Sequence, residues 1–154
     1  MNDDRYILVI ADKTQEMNTA LEYACARSKK TGRKIIIATF IEPLDVLTTQ
    51  GVAEIMKNEA REEAEKILYN AASAVKESTG TMPILQTREG DVINELKKLI
   101  EEEENINVLV LAASANEIEK NPGPIINALM TKEISTLRIP VMIVPGNFSK
   151  EHIS

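Results

Sequence analysis

Acid–base and nucleophilic chemistry needs residues that this sequence uses sparingly: it holds one histidine, His152, and one cysteine, Cys25. His152 lies in a polar tail beyond Pro145-Gly146, with no element around it to aim it at a substrate. Cys25 shares a helical face with Met17, Ala20, Leu21, Ala24 and Ser28, which recur at spacings of three and four. A reactive thiol wants a basic partner or a helix N-terminus. A mid-helix position on an apolar face supplies neither, so Cys25 reads as a buried structural thiol. A lone cysteine forms no intrachain disulfide, as expected in a reducing compartment. The run Glu101 to Glu104 has the composition of a cation site. Four consecutive helical residues point in different directions, however, and cannot converge on one ion. It reads as a solvated helix end, although acids there oppose the helix dipole. No catalytic and no metal-ligating residue is therefore assigned.

Phosphate-binding signatures are also missing. Neither GxxxxGK[ST] nor GxGxxG occurs, and GxSxG, the nucleophile elbow of α/β hydrolases, is absent. Asp12, directly after the first apolar run, can accept hydrogen bonds from a nucleobase or ribose, or can simply help the next helix begin; both readings stand. The stretch from Ala113 to Pro124 contains one glycine, two acids and two prolines. Prolines lack the N–H that an anion cradle uses, so a strong triphosphate site is disfavoured. A phosphoacceptor receiver domain is poorly matched too, because Asp3-Asp4 precedes the first strand and no lysine closes the last one.

The elements that must position Asp12 are legible from periodicity. Tyr6 to Ala11 is continuously apolar, as expected of a parallel strand buried on both faces. Helical spacing runs from Thr14 to Thr31, with Gly32 placed as the glycine after a helix C-terminus. Lys34 to Ile41 is a second strand. A long helix follows from about Val52 to Ser78, its stripe built from Val52, Ile55, Met56, Ala60, Ala64, Ile67, Leu68, Ala71 and Val75. Pro83 to Arg88, less apolar, predicts a third strand nearer an edge. Asp91 is the expected N-cap of a helix burying Val92, Ile93, Leu96, Leu99 and Ile100. Ile106 to Ala112, a helix over about Pro124 to Leu137, and a strand over Ile139 to Val144 complete the chain.

Five strands separated by four helices imply right-handed crossovers and a three-layer α/β fold around a mostly parallel sheet. Ligands of such sheets bind beyond the carboxyl ends of the strands, where the strand order reverses. That singles out Ala11-Asp12, Ile41-Glu42 and Ala112-Ala113-Ser114. At 154 residues the chain fits one domain, with a core over 6–145 and a polar tail over 146–154. Apolar residues make up 44%, charged residues 27%, and the net charge is -6. This acidity argues against nucleic acid or anionic lipid as the main partner. No apolar run approaches a spanning helix and no basic n-region precedes the first strand, so a cytoplasmic location is expected.

Taken in order, these segments resemble the universal stress protein family from Tyr6 to Pro145. Ile7-Leu-Val-Ile-Ala-Asp12 with Ala20-Leu-Glu-Tyr-Ala24 is similar to the family's first strand, its aspartate and the start of its first helix. Ile37-Ala-Thr-Phe-Ile-Glu-Pro43, Arg88-Glu-Gly-Asp91, Val108-Leu-Val-Leu111 and Pro140-Val-Met-Ile-Val-Pro145 resemble its later strands and its Gly-Asp turn. The resemblance implies a Rossmann-like, adenine nucleotide α-hydrolase-like sheet in the order 3-2-1-4-5. It also implies a homodimer made under stress, with ATP or AMP bound in some members.

Nucleotide-binding members carry Gly-x-x-Gly, nine residues, then Gly and Ser or Thr. Counting back from Pro140 puts these places at Ser114, Glu117, Asn127 and Ala128, so all three glycines are replaced. The Pro122-Gly123-Pro124 segment resembles a branch in which it takes the place of the glycine motif. What the resemblance leaves is a degenerate nucleotide site of Ala11, Asp12, Ile41, Ala113, Ser114, Asn127 and Ala128. It also implies a homodimer interface through Val141, Met142, Ile143 and Val144, where antiparallel pairing with a twofold mate would cover an apolar edge. The expected function is that of a binding or interaction module with no cofactor and no catalysis. The alternative is a sensor with weak AMP or ATP binding and at most slow hydrolysis. An adenylating enzyme is disfavoured because the His- and Gly-rich signatures are missing.

Overall fold

The computed structural model describes residues 4–12, 16–42, 50–113, 124–130 and 136–146. Its elements run β1 (Tyr6–Ile10), α1 (Glu16–Thr31), β2 (Lys34–Ile41), α2 (Gln50–Thr79), β3 (Ile84–Glu89), α3 (Val92–Glu102), β4 (Ile106–Ala113), α4 (Pro124–Ala128) and β5 (Val141–Pro145). The strands form one parallel sheet in the order β3-β2-β1-β4-β5, the order implied by the resemblance.

Alternation along the strands divides the core in two. Ile7, Val9, Ile35 and Ile37 point to the face covered by α1 and α2, with Ala24, Leu68 and Val75 packed on them. Leu8, Ile36 and Leu109 point to the other face, against Leu96, Leu99, Ile100 and Leu129. Each such side chain contributes roughly 1.5–3 kcal/mol by leaving water. Cys25 belongs to the first cluster and is buried. Burial pushes its thiol pKa up, against a lowering contribution from a Ser78 hydrogen bond.

α3 begins as its sequence predicts. The Asp91 carboxylate accepts from the Asn94 N–H at 3.1 Å. Gly90 has φ +139°, and a Cβ there would meet Glu95 Cγ at 3.0 Å, so this turn needs glycine. The acidic far end of α3 is held by two arginines. Arg138 donates to the carbonyls of Ile100, Glu103 at 3.1 Å and Glu104 at 3.3 Å. Arg88 on β3 pairs with Glu102, and with Glu95 at 3.5 Å. A guanidinium from 35 positions down the chain thus caps the carbonyl end, and cations at that end are favourable.

Two expectations need correction. The apolar stripe of α2 is buried only from Ala64 onward, while Val52 and Ile55 are 46% and 59% exposed. Thirty helical residues span about 45 Å, whereas the eight of β2 span about 26 Å. The first turns of α2 therefore overshoot the carboxyl edge of the sheet. The helix expected over Pro124 to Leu137 is α-helical over Pro124–Ala128 and widens at Leu129 and Met130. Residues 131–135 lie outside the described residues, and Leu137 is not helical. Ile139 precedes Pro140, which disfavours helical backbone, and the chain must straighten to enter β5.

Two consequences are measurable. Leu109→Ala, at a fully buried position, is expected to lower stability by about 2–5 kcal/mol in urea unfolding; a loss under about 1 kcal/mol would contradict the packing. The Cys25 thiol is expected to react with a disulfide reagent at least about tenfold more slowly in the native than in the unfolded protein. Because its folded pKa lies above the unfolded one, stability is intact below the unfolded value and declines as pH rises through the folded one.

Candidate ligand crevice

β1 is flanked by β2 on one side and β4 on the other, so the crossovers leave it in opposite directions and a crevice opens at the carboxyl ends. Ala11 closes β1, its N–H donating to Ala38 O at 2.8 Å. Asp12 stands next, half-buried. Ile41, buried at the end of β2, accepts from the Gly90 N–H at 3.0 Å, which ties the turn before α3 to this end of the sheet.

Ala11, Asp12 and Ile41 line one cavity of about 230 Å³, together with Thr39, Glu42 and Glu63. A neighbouring cleft of about 420 Å³ shares Ile41 and Glu42 and reaches Lys57, Glu89 and Gly90. On its wall Glu89 pairs with Arg61, and with Lys57 at 3.8 Å. The Arg61 hydrogen bond, with Lys57 adding charge, holds the Glu89 carboxyl below its usual range.

The structure thus brings three of the sequence-predicted site residues together. Ala113, half-buried, ends β4 opposite Pro145, and Asn127 and Ala128 lie half-buried on α4; none of these lines the 230 Å³ cavity. Ser114 and Glu117 lie outside the described residues. Thr39 and Glu63 were missed by sequence reasoning. Thr39, 4% exposed, sits inside an apolar strand, and its hydroxyl as the one polar side chain from Ile35 to Ile41 was the signal that could have found it. Glu63, exposed and directly before Ala64, lines the cavity from α2, and an acidic helix gives no cue as to which carboxylate lies beside a cavity.

At the far edge of the sheet, β5 pairs with β4 alone among the described residues. Met142 is 42% and Ile143 38% exposed, Val141 is half-buried, and Val144 is buried. Val144 packs in the core cluster beside α1, and Thr19 Oγ1 donates to Gly146 O at 3.1 Å just beyond. The side chain of Val144 is therefore committed to the core of its own chain. Among the described residues, no three His, Cys, Asp or Glu side chains are placed to share a metal ion, and no helix is long and apolar enough to cross a membrane.

Comparison with known proteins agrees with this architecture. No curated protein sequence is significantly similar to the chain. Among solved structures, a universal stress protein from Lactobacillus plantarum superimposes with a TM-score of 0.75 at 11% identity, covering 94% of this chain and 99% of its own. One from Archaeoglobus fulgidus, in complex with dAMP, gives 0.61 at 12% identity over 94% and 99%. A universal stress protein in complex with cAMP gives 0.67 at 17% identity over 95% and 100%. At these identities the structures speak for the fold. The model of the universal stress protein family matches residues 5–145, and the chain belongs to that family.

Proposed function

We propose that the chain is a non-catalytic, homodimeric, cytoplasmic binding module acting in a stress response, whose crevice holds at most a nucleoside-like ligand and takes ATP weakly or not at all. The observation that carries this reading is the sign of the cavity: Asp12, Glu42 and Glu63 line it with no Lys or Arg among its described lining residues, while Lys57 lines the neighbouring cleft. A phosphate charge about 4 Å from a carboxylate is disfavoured by roughly 1 kcal/mol even in water, and by more where water is displaced. A triphosphate multiplies that cost. The replacement of the three family glycines, which the resemblance places at Ser114, Glu117 and Asn127, works in the same direction, because each Cβ occupies space that a phosphate bound on bare backbone would need.

The second reading, a sensor with weak AMP or ATP binding, is favoured by one specific feature. Asp12 and Ile41, the positions resembling those that meet ribose and adenine in nucleotide-binding relatives, line the same cavity. The complexes with cAMP and dAMP noted above show that relatives of this fold accept one phosphate.

Homodimerisation is supported by the open edge of β5, where Met142 and Ile143 present apolar side chains. Antiparallel pairing with a second copy of β5 would satisfy that edge and join two sheets into one.

Calorimetry with adenosine, AMP, ADP and ATP is expected to show affinity falling as phosphates are added. Sub-millimolar ATP binding abolished by Asp12→Ala would overturn the leading reading and establish the sensor. Light scattering is expected to give twice the 17.1 kDa chain mass, reduced to one chain by Ile143→Lys. A wild-type monomer would contradict the dimer, and an Ile143→Lys dimer would move the interface away from β5.

A further inference from the structure

The opposite end of the sheet carries a second recess. Its floor is formed by the amino ends of β1 and β2, where Tyr6 and Lys34 are paired in register. Its walls are the turn from α1 to β2 and the turn from α2 to β3. The volume is about 610 Å³, with Ser28, Lys29, Arg33, Lys34, Thr79 and Thr81 on the lining. Small-molecule sites span roughly 300–1,000 Å³.

The charge around this recess runs against the rest of the chain. Residues 23–41 contain no Asp or Glu, and Arg27, Lys29, Lys30, Arg33 and Lys34 supply five of the 18 Lys and Arg in a chain of net charge -6. Lys29 and Lys30 sit in the last turn of α1, where cations complement the carbonyl end. That accounts for two of the five. Arg33 and Lys34 come after Gly32, whose φ of +77° marks the end of the helix. Among the described residues, Arg27, Lys29, Lys30 and Lys34 are engaged in no ion pair, and Asp4 is the one acid lining the recess. Like charges held together without counter-charge repel one another, and an anion bound among them removes that repulsion.

We propose that this recess is a binding site for a small polyanion, a molecule carrying two or more phosphate groups. Lys29 and Lys34 meet its charges, and the Thr81 hydroxyl beside them offers a hydrogen bond. The concave form suits a compact ligand. A membrane surface or a nucleic acid would bring the acidic remainder of the chain against further negative charge. The site lies at the other end of the strands from Asp12, so it stands independently of what the crevice holds.

Calorimetry of the full chain with inorganic tripolyphosphate at low ionic strength tests the proposal. Saturable binding is expected, weakened about tenfold or more by Lys29→Gln with Lys34→Gln, abolished by the corresponding pair of glutamates, and unchanged by Asp12→Ala. Both lysines are exposed, and circular dichroism checks that the variants fold. Amide NMR shifts on titration are expected to cluster at residues 28–35 and 79–82. Absence of binding by the wild type, indifference to both lysine pairs, or loss in Asp12→Ala would each overturn the site. Binding to phosphatidylserine vesicles that tripolyphosphate fails to displace would overturn the small-ligand assignment in favour of a membrane contact.

Discussion

Everything in this molecule is arranged around a strand that must be dry on both faces. Ile7, Leu8, Val9 and Ile10 are at most 6% exposed, and no single layer of helices achieves that for side chains pointing in opposite directions. One helical layer covers Ile7 and Val9, another covers Leu8 and Ile10. The strand's peptide groups also need partners on both sides, because a buried unpaired amide is costly, and β2 and β4 supply them. A chain that places β2 on one side of β1 and β4 on the other must reverse its strand order there, and that reversal opens the crevice. The crevice is a by-product of burying β1.

The two ends of the sheet differ in electrostatic character because different elements finish there. At the carboxyl end, β1 and β2 run out into Asp12 and Glu42, and α2 brings Glu63 beside the same cavity. At the amino end, α1 finishes in lysines and β2 begins with one. The positive charge at the amino end is local to the junction of α1 and β2, since α3 brings Glu101 to Glu104 to the same edge just before β4, and an overall acidic composition conceals it.

Much of the fold was readable because its signals are local and redundant. The continuous apolar strands, the Asp91 cap and the glycines at 32, 80 and 90, all with positive φ, each agree with the same element boundaries. The readings that failed concerned relations between elements. Periodicity marks Val52 and Ile55 as apolar-face residues, but it contains no information about where the sheet beneath them stops. The same limit applies to the site. Asp12 and Ile41 could be placed at the crevice because strand ends are visible in sequence, whereas the place of Glu63 depends on the rotation of α2 about its axis and on its height above β2. The dipole conflict at Glu101 to Glu104 was recognised in sequence, yet its resolution by Arg138 required the return of the chain toward β5.

That return has a consequence for cooperativity. The last carbonyls of α3 are satisfied by Arg138, and two residues later Pro140 accepts from the Leu109 N–H at 3.1 Å to begin the β4–β5 ladder. One short segment therefore closes a helix and opens a strand pair at the same time. Neither can let go alone: fraying of β5 withdraws the cap from α3, and fraying of α3 removes what anchors the approach to β5. In hydrogen-exchange terms the edge strand and the end of α3 form a single opening unit, protected together although some forty residues apart in sequence.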